Sequence, residues 1–323
     1  MKHQIQLVIL LFFYSNIFGQ KIHVISQGIG SDSSFYHIEK INENEFWAAG
    51  EYGILKKIDS LGNVSSQSFP NEGLNILKII KKENYIFIIT DHAFIYRYDI
   101  LKKIFIKKPF PNFKNKCFYD IIALQNGKLM VCGGTSGISG GEKKIPNGFI
   151  AIIDQDLKEI NIVWRSYRKF VWSLLELENG DVLASTFNGL NSKIIKTENF
   201  INWKKLTKIK GLVHEIALLD NHIWYSGARN IHYKEDGILG MIDQKQLTLN
   251  KTGCLWSMDL INGKIISVAA NCKLMIFDKN KNEIEQIKHP FPNTFYDIEK
   301  ISESKIIIVG QGKSIYIIDF AEQ

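Results

Sequence analysis

The sequence predicts an all-β protein made of seven repeats of four strands. Three observations predict it. An aromatic strand opening recurs at near-constant spacing, Asn-Gly turns follow it, and the last repeat stops one strand short. Phe118-Tyr119-Asp120-Ile121 leads to Asn126-Gly127 and then Leu129-Met130-Val131. Val171-Trp172-Ser173-Leu174, Leu255-Trp256-Ser257-Met258 and Phe295-Tyr296-Asp297-Ile298 open units of the same shape. Phe35-Tyr36-His37-Ile38, Asn75-Ile76-Leu77 and Val213-His214-Glu215-Ile216 complete the set, anchored at positions 36, 76, 119, 172, 214, 256 and 296.

Each unit divides into short apolar runs separated by turns of Asn-Gly type, which is hairpin chemistry. The third run ends in an apolar-Asp pair: Ile58-Asp59, Tyr98-Asp99, Ile153-Asp154, Ile242-Asp243, Phe277-Asp278 and Ile318-Asp319. Asp bonds nearby backbone at turns, so these aspartates read as turn caps rather than catalytic groups. A fourth, more polar run follows, and Phe-Pro-Asn recurs in the connection at 69–71, 110–112 and 291–293. Four strands in roughly 40–45 residues is the signature of a β-propeller. The seventh unit has three strands and the chain then stops, while Lys21-Ile22-His23-Val24-Ile25 forms a lone alternating run near the start. That N-terminal strand is expected to close the last blade and cover its bare edge. The expected organisation is a signal peptide over 1–19 and a seven-bladed β-propeller over 20–323.

The signal-peptide reading rests on Lys2, the apolar run Ile5 to Phe13, and the small or polar exit Ser15, Asn16 and Gly19. The run is shorter than the ~20 residues a spanning helix needs, so no transmembrane anchor is expected. The mature protein would be exported, periplasmic or extracellular, and monomeric. Composition agrees with a folded domain: of 323 residues, 45% are hydrophobic and 23% charged, which excludes a disordered tail or a polytopic membrane protein. The net charge of +7 comes from lysine, with arginine only at Arg97, Arg165, Arg168 and Arg229. Nucleic-acid binders cluster their charge and favour arginine, so no nucleic-acid partner is expected.

The passage Gly50-Glu51-Tyr52-Gly53-Ile54-Leu55-Lys56-Lys57-Ile58-Asp59 resembles the second-to-third strand segment of secreted bacterial propellers. These are the sialidase-like and photosystem II assembly-factor-like repeat proteins. Lys196 to Trp203 is similar to a degenerate Asp-box, with Glu198 at the aspartate and Phe200 at the glycine. The resemblance covers the architecture of residues 20–323 and transfers no catalytic residue. A sialidase would require an arginine triad, and only Arg229 falls on the expected binding face.

Propeller geometry places the first-strand entrances and the second-to-third strand loops on one face over the central channel. There His37, Tyr119, Asp120, Trp172, His214, Glu215, Arg229, Trp256, Tyr296 and Asp297 are the candidate ligand-binding residues. For the aromatic members, the competing reading is a wedge between blades. For the polar members, it is hydrogen bonding to the next blade. The ligand would be a glycan, peptide or protein surface, and the protein a binding or scaffold module. The alternative is a secreted lyase or hydrolase of a sugar or peptide, with Asp120, Glu215 and Asp297 working with His37 or His214. Two enlarged loops, Gly133 to Asn147 and Ser226 to Gly237, lie on the same face. The first is glycine-rich but lacks the Gly-Lys-Ser/Thr and following helix of a phosphate loop. No cofactor and no metal motif is present, and a carboxylate ring could hold calcium only without a sequential calcium loop. Export allows disulfides. The Asn262-Gly263 turn sets a register that brings Cys254 almost opposite Cys272, the predicted bridge; Cys117 and Cys132 are offset and predicted unbonded unless the strand entry is irregular.

Overall fold

The computed structural model describes residues 20–26, 33–70, 73–92, 94–110, 113, 116–135, 147–230, 236–242, 244, 246–281, 283–287 and 293–320. The expected signal peptide lies outside these residues. Seven antiparallel sheets of four strands each are present among the described residues. The innermost strands are Phe35–Asn42, Ile76–Lys82, Lys116–Ala123, Phe170–Glu176, Leu212–Leu219, Leu255–Ile261 and Phe295–Ser302 in blades one to seven. Blades one to six are each built from four consecutive strands. In blade seven the fourth strand is Gln20–Ser26. It pairs antiparallel with Ser314–Phe320, in register from Gln20 opposite Phe320 to Val24 opposite Tyr316. The ring therefore closes through its two chain ends, as the repeat count predicts.

The second strands are buried along most of their length, as in Glu45–Gly50, whose last five residues are all inaccessible. A strand covered on both faces reads as a continuous apolar run, which explains Ile86-Phe87-Ile88-Ile89 and Ile306-Ile307-Ile308-Val309. The core is not inside any one sheet. It comprises clusters that each span two neighbouring blades, such as Trp47 and Ala49 of blade one with Ile79 and Tyr96 of blade two. The closure is packed in the same way: Phe35 and Phe46 of blade one meet Ile307 and Val309 of blade seven.

The recurring geometry of the repeat is supported by local chemistry. Asp59 accepts the backbone N–H groups of Leu61 and Asn63, and Asp99 accepts those of Leu101 and Lys102. Asp154 caps Lys158, and Asp278 caps Asn280 and Lys281. Phe69 and Phe110 of the connecting motif are buried in the interblade clusters. At Gly50 an added Cβ would lie 1.8 Å from the Ser34 carbonyl oxygen, and at Gly310 2.1 Å from that of Thr294. The first strand enters its sheet past these glycines.

The predicted Cys254–Cys272 bridge is not formed; all four cysteines are free thiols. A bulge at Trp256 interrupts the pairing, so that Leu255 faces Ala269 while Ser257 faces Val268. Cys254 then lies beside Ala270, whose N–H donates to its carbonyl oxygen at 2.8 Å. Cys272 sits before the third strand in the turn, at φ +59°. The simple hairpin count omits the bulged residue and misplaces the pair.

Candidate functional site

That bulge is a feature of every blade. Pairing of the first strand slips at Tyr36, Leu77, Tyr119, Trp172, His214, Trp256 and Tyr296. A bulge inserts one unpaired residue and re-aims its side chain. Blade two corrects the sequence alignment by one place, because its bulged residue is Leu77 and not Ile76. The following position is then Lys78, which the repeat pattern does not pick out.

The bulged side chains form a collar on the innermost strands. Ring centroids are 4.5 Å apart for Tyr119 and Trp172, which stack, and 5.6 Å for Trp172 and His214. His214 and Trp256 follow at 4.7 Å, Trp256 and Tyr296 at 5.6 Å, and Tyr296 and Tyr36 at 5.4 Å. Leu77 occupies the remaining place. All seven are half-buried. Six of them touch one another around the rim, each packing against its counterpart in an adjacent blade. Glu51, from the second-to-third strand loop, anchors Tyr36 by accepting its hydroxyl proton at 2.6 Å. The Trp172 indole N–H is shielded and meets no acceptor among the described residues.

One residue further along each strand comes a polar ring: His37, Lys78, Asp120, Ser173, Glu215, Ser257 and Asp297. The innermost strand is a sheet edge, so its channel-facing N–H groups lack a ladder partner. The polar ring supplies partners across the blade boundary. Asp297 accepts the Ile38 N–H at 2.8 Å, and Asp120 that of Leu174 at 2.6 Å. Ser173 accepts from Ile216 at 3.1 Å, Glu215 from Met258 at 2.8 Å, and His37 Nδ1 from Ile79 at 3.4 Å. Protonated lysine has no acceptor, so Lys78 breaks the series. Its Nζ instead lies 2.5 Å from Asp120 Oδ1, and Asp120 itself accepts the Ile121 N–H that Lys78 cannot.

The titrations of the channel groups follow from burial among carboxylates. Burial, then the charge of Asp297, pushes Glu215 up to about 8. Burial raises Asp297 to about 6. Burial lowers His37 well below its ordinary range, and holds His214 down to about 4. Burial alone would depress Lys78, but Asp120 overcomes it and, with Glu215 and Asp297, raises it. Further along the inner strands, burial raises Glu39 to about 7 and also raises Asp259 and Glu299.

Nine of the ten predicted ligand residues therefore lie in the collar or the ring below it. Arg229 does not join them. Its guanidinium is 3.3 Å from Asp236 Oδ2 of its own loop, and half-exposed. The His232, Tyr233 and Glu235 part of that loop, and residues 136–146 of the glycine-rich loop, lie outside the described residues. No group of three or more His, Cys, Asp or Glu side chains is arranged to hold a metal among the described residues.

The fold and its collared channel define a seven-bladed β-propeller with an aromatic rim on its inner strands. No family model and no curated protein matches the sequence. Solved structures do match in fold. A structure described as YCF48 bound to D1 peptide superposes with a TM-score of 0.70 at 12% identity, covering 95% of this chain and 97% of that one. Virginiamycin B lyase from Staphylococcus aureus gives 0.70 at 11% identity, covering 94% and 100%. The WD40 propeller domain of Doa1 gives 0.65 at 11% identity, covering 94% and 98%. At such identities the likeness is one of architecture. No helix among the described residues is long and apolar enough to cross a membrane.

Proposed function

We propose that this propeller is an exported binding module that holds a peptide segment of a partner protein on its aromatic collar. The observation that carries this reading is the division of labour between the two rings. The polar ring is occupied with interblade hydrogen bonds, while the collar above it is only half-buried and carries aromatic rings in contact from Tyr119 round to Tyr36. Aromatic surfaces with few fixed polar groups suit an extended peptide. The propeller bound to D1 peptide gives a precedent within the same architecture.

A second reading has its own observation. Glu215 holds its proton to about 8 and could serve as a general acid in a lyase or hydrolase, and lyases share the fold. Against it, Glu215 is engaged by Met258 and Ser257, and Arg229 stands apart.

The test is a peptide array probed with the protein and with Trp172→Ala and Tyr119→Ala. Binding that falls at least about tenfold in both variants supports the collar. Undiminished binding by both, or turnover of an arrayed peptide that Glu215→Gln abolishes, overturns the binding reading. N-terminal sequencing of the exported material tests processing after Gly19.

A further inference from the structure

The outer edge of blade four is unlike that of the other blades. Its fourth strand, Lys204–Lys210, carries four lysines in seven residues. No other outer strand among the described residues carries more than two. Lysine on a sheet edge guards against edge-to-edge pairing, but the other outer strands carry two at most and several carry none. Here the charges are also set against each other. Lys193 of the third strand lies directly opposite Lys208, and Lys196 opposite Lys204. Like charges facing across strands are destabilising. Lys196 is relieved by Asp181 at 2.6 Å, but Lys169, Lys193, Lys204, Lys205 and Lys208 have no carboxylate in ion-pair range among the described residues.

Two depressions run beneath these lysines. One, of about 260 Å³, is lined by Lys169, Lys193, Lys205 and Lys208 with Thr186 and two asparagines. The other, of about 750 Å³, shares Lys205 and is lined by Trp164, Trp203, Asn199 and Asn202. It contains the Asp-box-like segment, whose Glu198 acts on Lys196. The Trp203 ring is held in place by its N–H, which donates to the Phe200 carbonyl at 3.2 Å. An unneutralised cationic cleft thus runs into a groove floored by two half-buried indoles.

We propose that this edge binds an acidic polysaccharide, its carboxylate or sulfate groups on Lys193, Lys205 and Lys208 and its sugar rings against Trp164 and Trp203. Charge complementarity selects an anion, and the concave groove selects a chain over a flat bilayer. The lining holds lysine but no arginine, which disfavours the bidentate phosphate contacts of nucleic acid. The site is separate from the collar and does not depend on it.

The test is affinity electrophoresis of the full chain in polygalacturonate, dextran sulfate and neutral dextran. Competition with a (dT)20 oligonucleotide and with phosphatidylglycerol vesicles runs alongside. Retardation by either acidic polymer but not by dextran is expected. The Lys193→Gln/Lys205→Gln/Lys208→Gln variant should bind roughly tenfold more weakly. A control with the same charge change, Lys103→Gln/Lys281→Gln/Lys313→Gln, should bind as the parent does. Trp164→Ala should weaken binding without altering its salt dependence. Should the triple variant melt early, Lys208→Gln alone carries the comparison. Equal loss in the control, no loss in the cleft variants, or tighter binding to the oligonucleotide or vesicles overturns the proposal.

Discussion

Lys78 Nζ lies 2.5 Å from Asp120 Oδ1, joining blades two and three beside a channel that also holds Glu215 and Asp297. Asp120 is almost fully buried. Removing one partner of a buried pair leaves an uncompensated charge, so Lys78→Met should cost about 3 kcal/mol. Lys78→Met/Asp120→Asn should recover part of that loss. Urea denaturation of the parent, both single variants and the double variant measures the coupling. A double variant whose loss equals the sum of the two single losses would show that the pair contributes nothing.

Stability should depend on pH through Glu215. Burial raises its folded value to about 8, above its ordinary value of 4.5, so the fold binds this proton more tightly than the unfolded chain. The contribution is complete below the unfolded value and is lost as pH rises through about 8. His214 acts with the opposite sign. Its folded value of about 4 lies below its ordinary 6.5, so stability rises with pH between the two. Thermal midpoints taken from about pH 6.5 to about pH 8.5 lie above most of the histidine's range, and comparison with Glu215→Gln separates Glu215 from Glu39, which titrates at about 7. The parent should lose stability across that interval more steeply than Glu215→Gln.

Ring closure should depend on Ile22, a buried residue that packs with Phe295 and Ile318. Ile22→Asp places a charge in that cluster and should cost about 3 kcal/mol or more. The freed edge of Ser314–Phe320 would then be open to pairing with other chains. Size-exclusion chromatography and thermal melting should show association and a lower midpoint. Val24→Asp, at an exposed position of the same strand, should be much milder.

The cysteines should remain thiols. Thiol titration in denaturant should count four, and non-reducing peptide mapping should find Cys254 and Cys272 apart. In the native state Cys117, Cys132 and Cys254 should react slowly, because they are buried and burial raises their pKa.

Much of the site is legible in the sequence. Tyr119, Trp172, His214, Trp256 and Tyr296 stand at matching places in the repeat, and the register of a hairpin follows from its turn. Lys78 is not legible, because Leu77 breaks the aromatic pattern and the alignment slides by one residue. The bulges are equally hidden: an extra residue in a strand leaves no mark in composition. The same omission produces the false Cys254–Cys272 bridge.

The all-β class, the count of seven units and the closure by an N-terminal strand follow from local periodicity and turn chemistry, so they are readable in the chain. What the inner residues do depends instead on how the blades pack. The bulged aromatics meet neighbours from other blades. Below them, His37, Asp120, Ser173 and Glu215 satisfy backbone N–H groups 42 to 54 positions away, and Asp297 reaches one 259 positions away. Such partners are set by how the sheets pack around the axis, and no single repeat contains them.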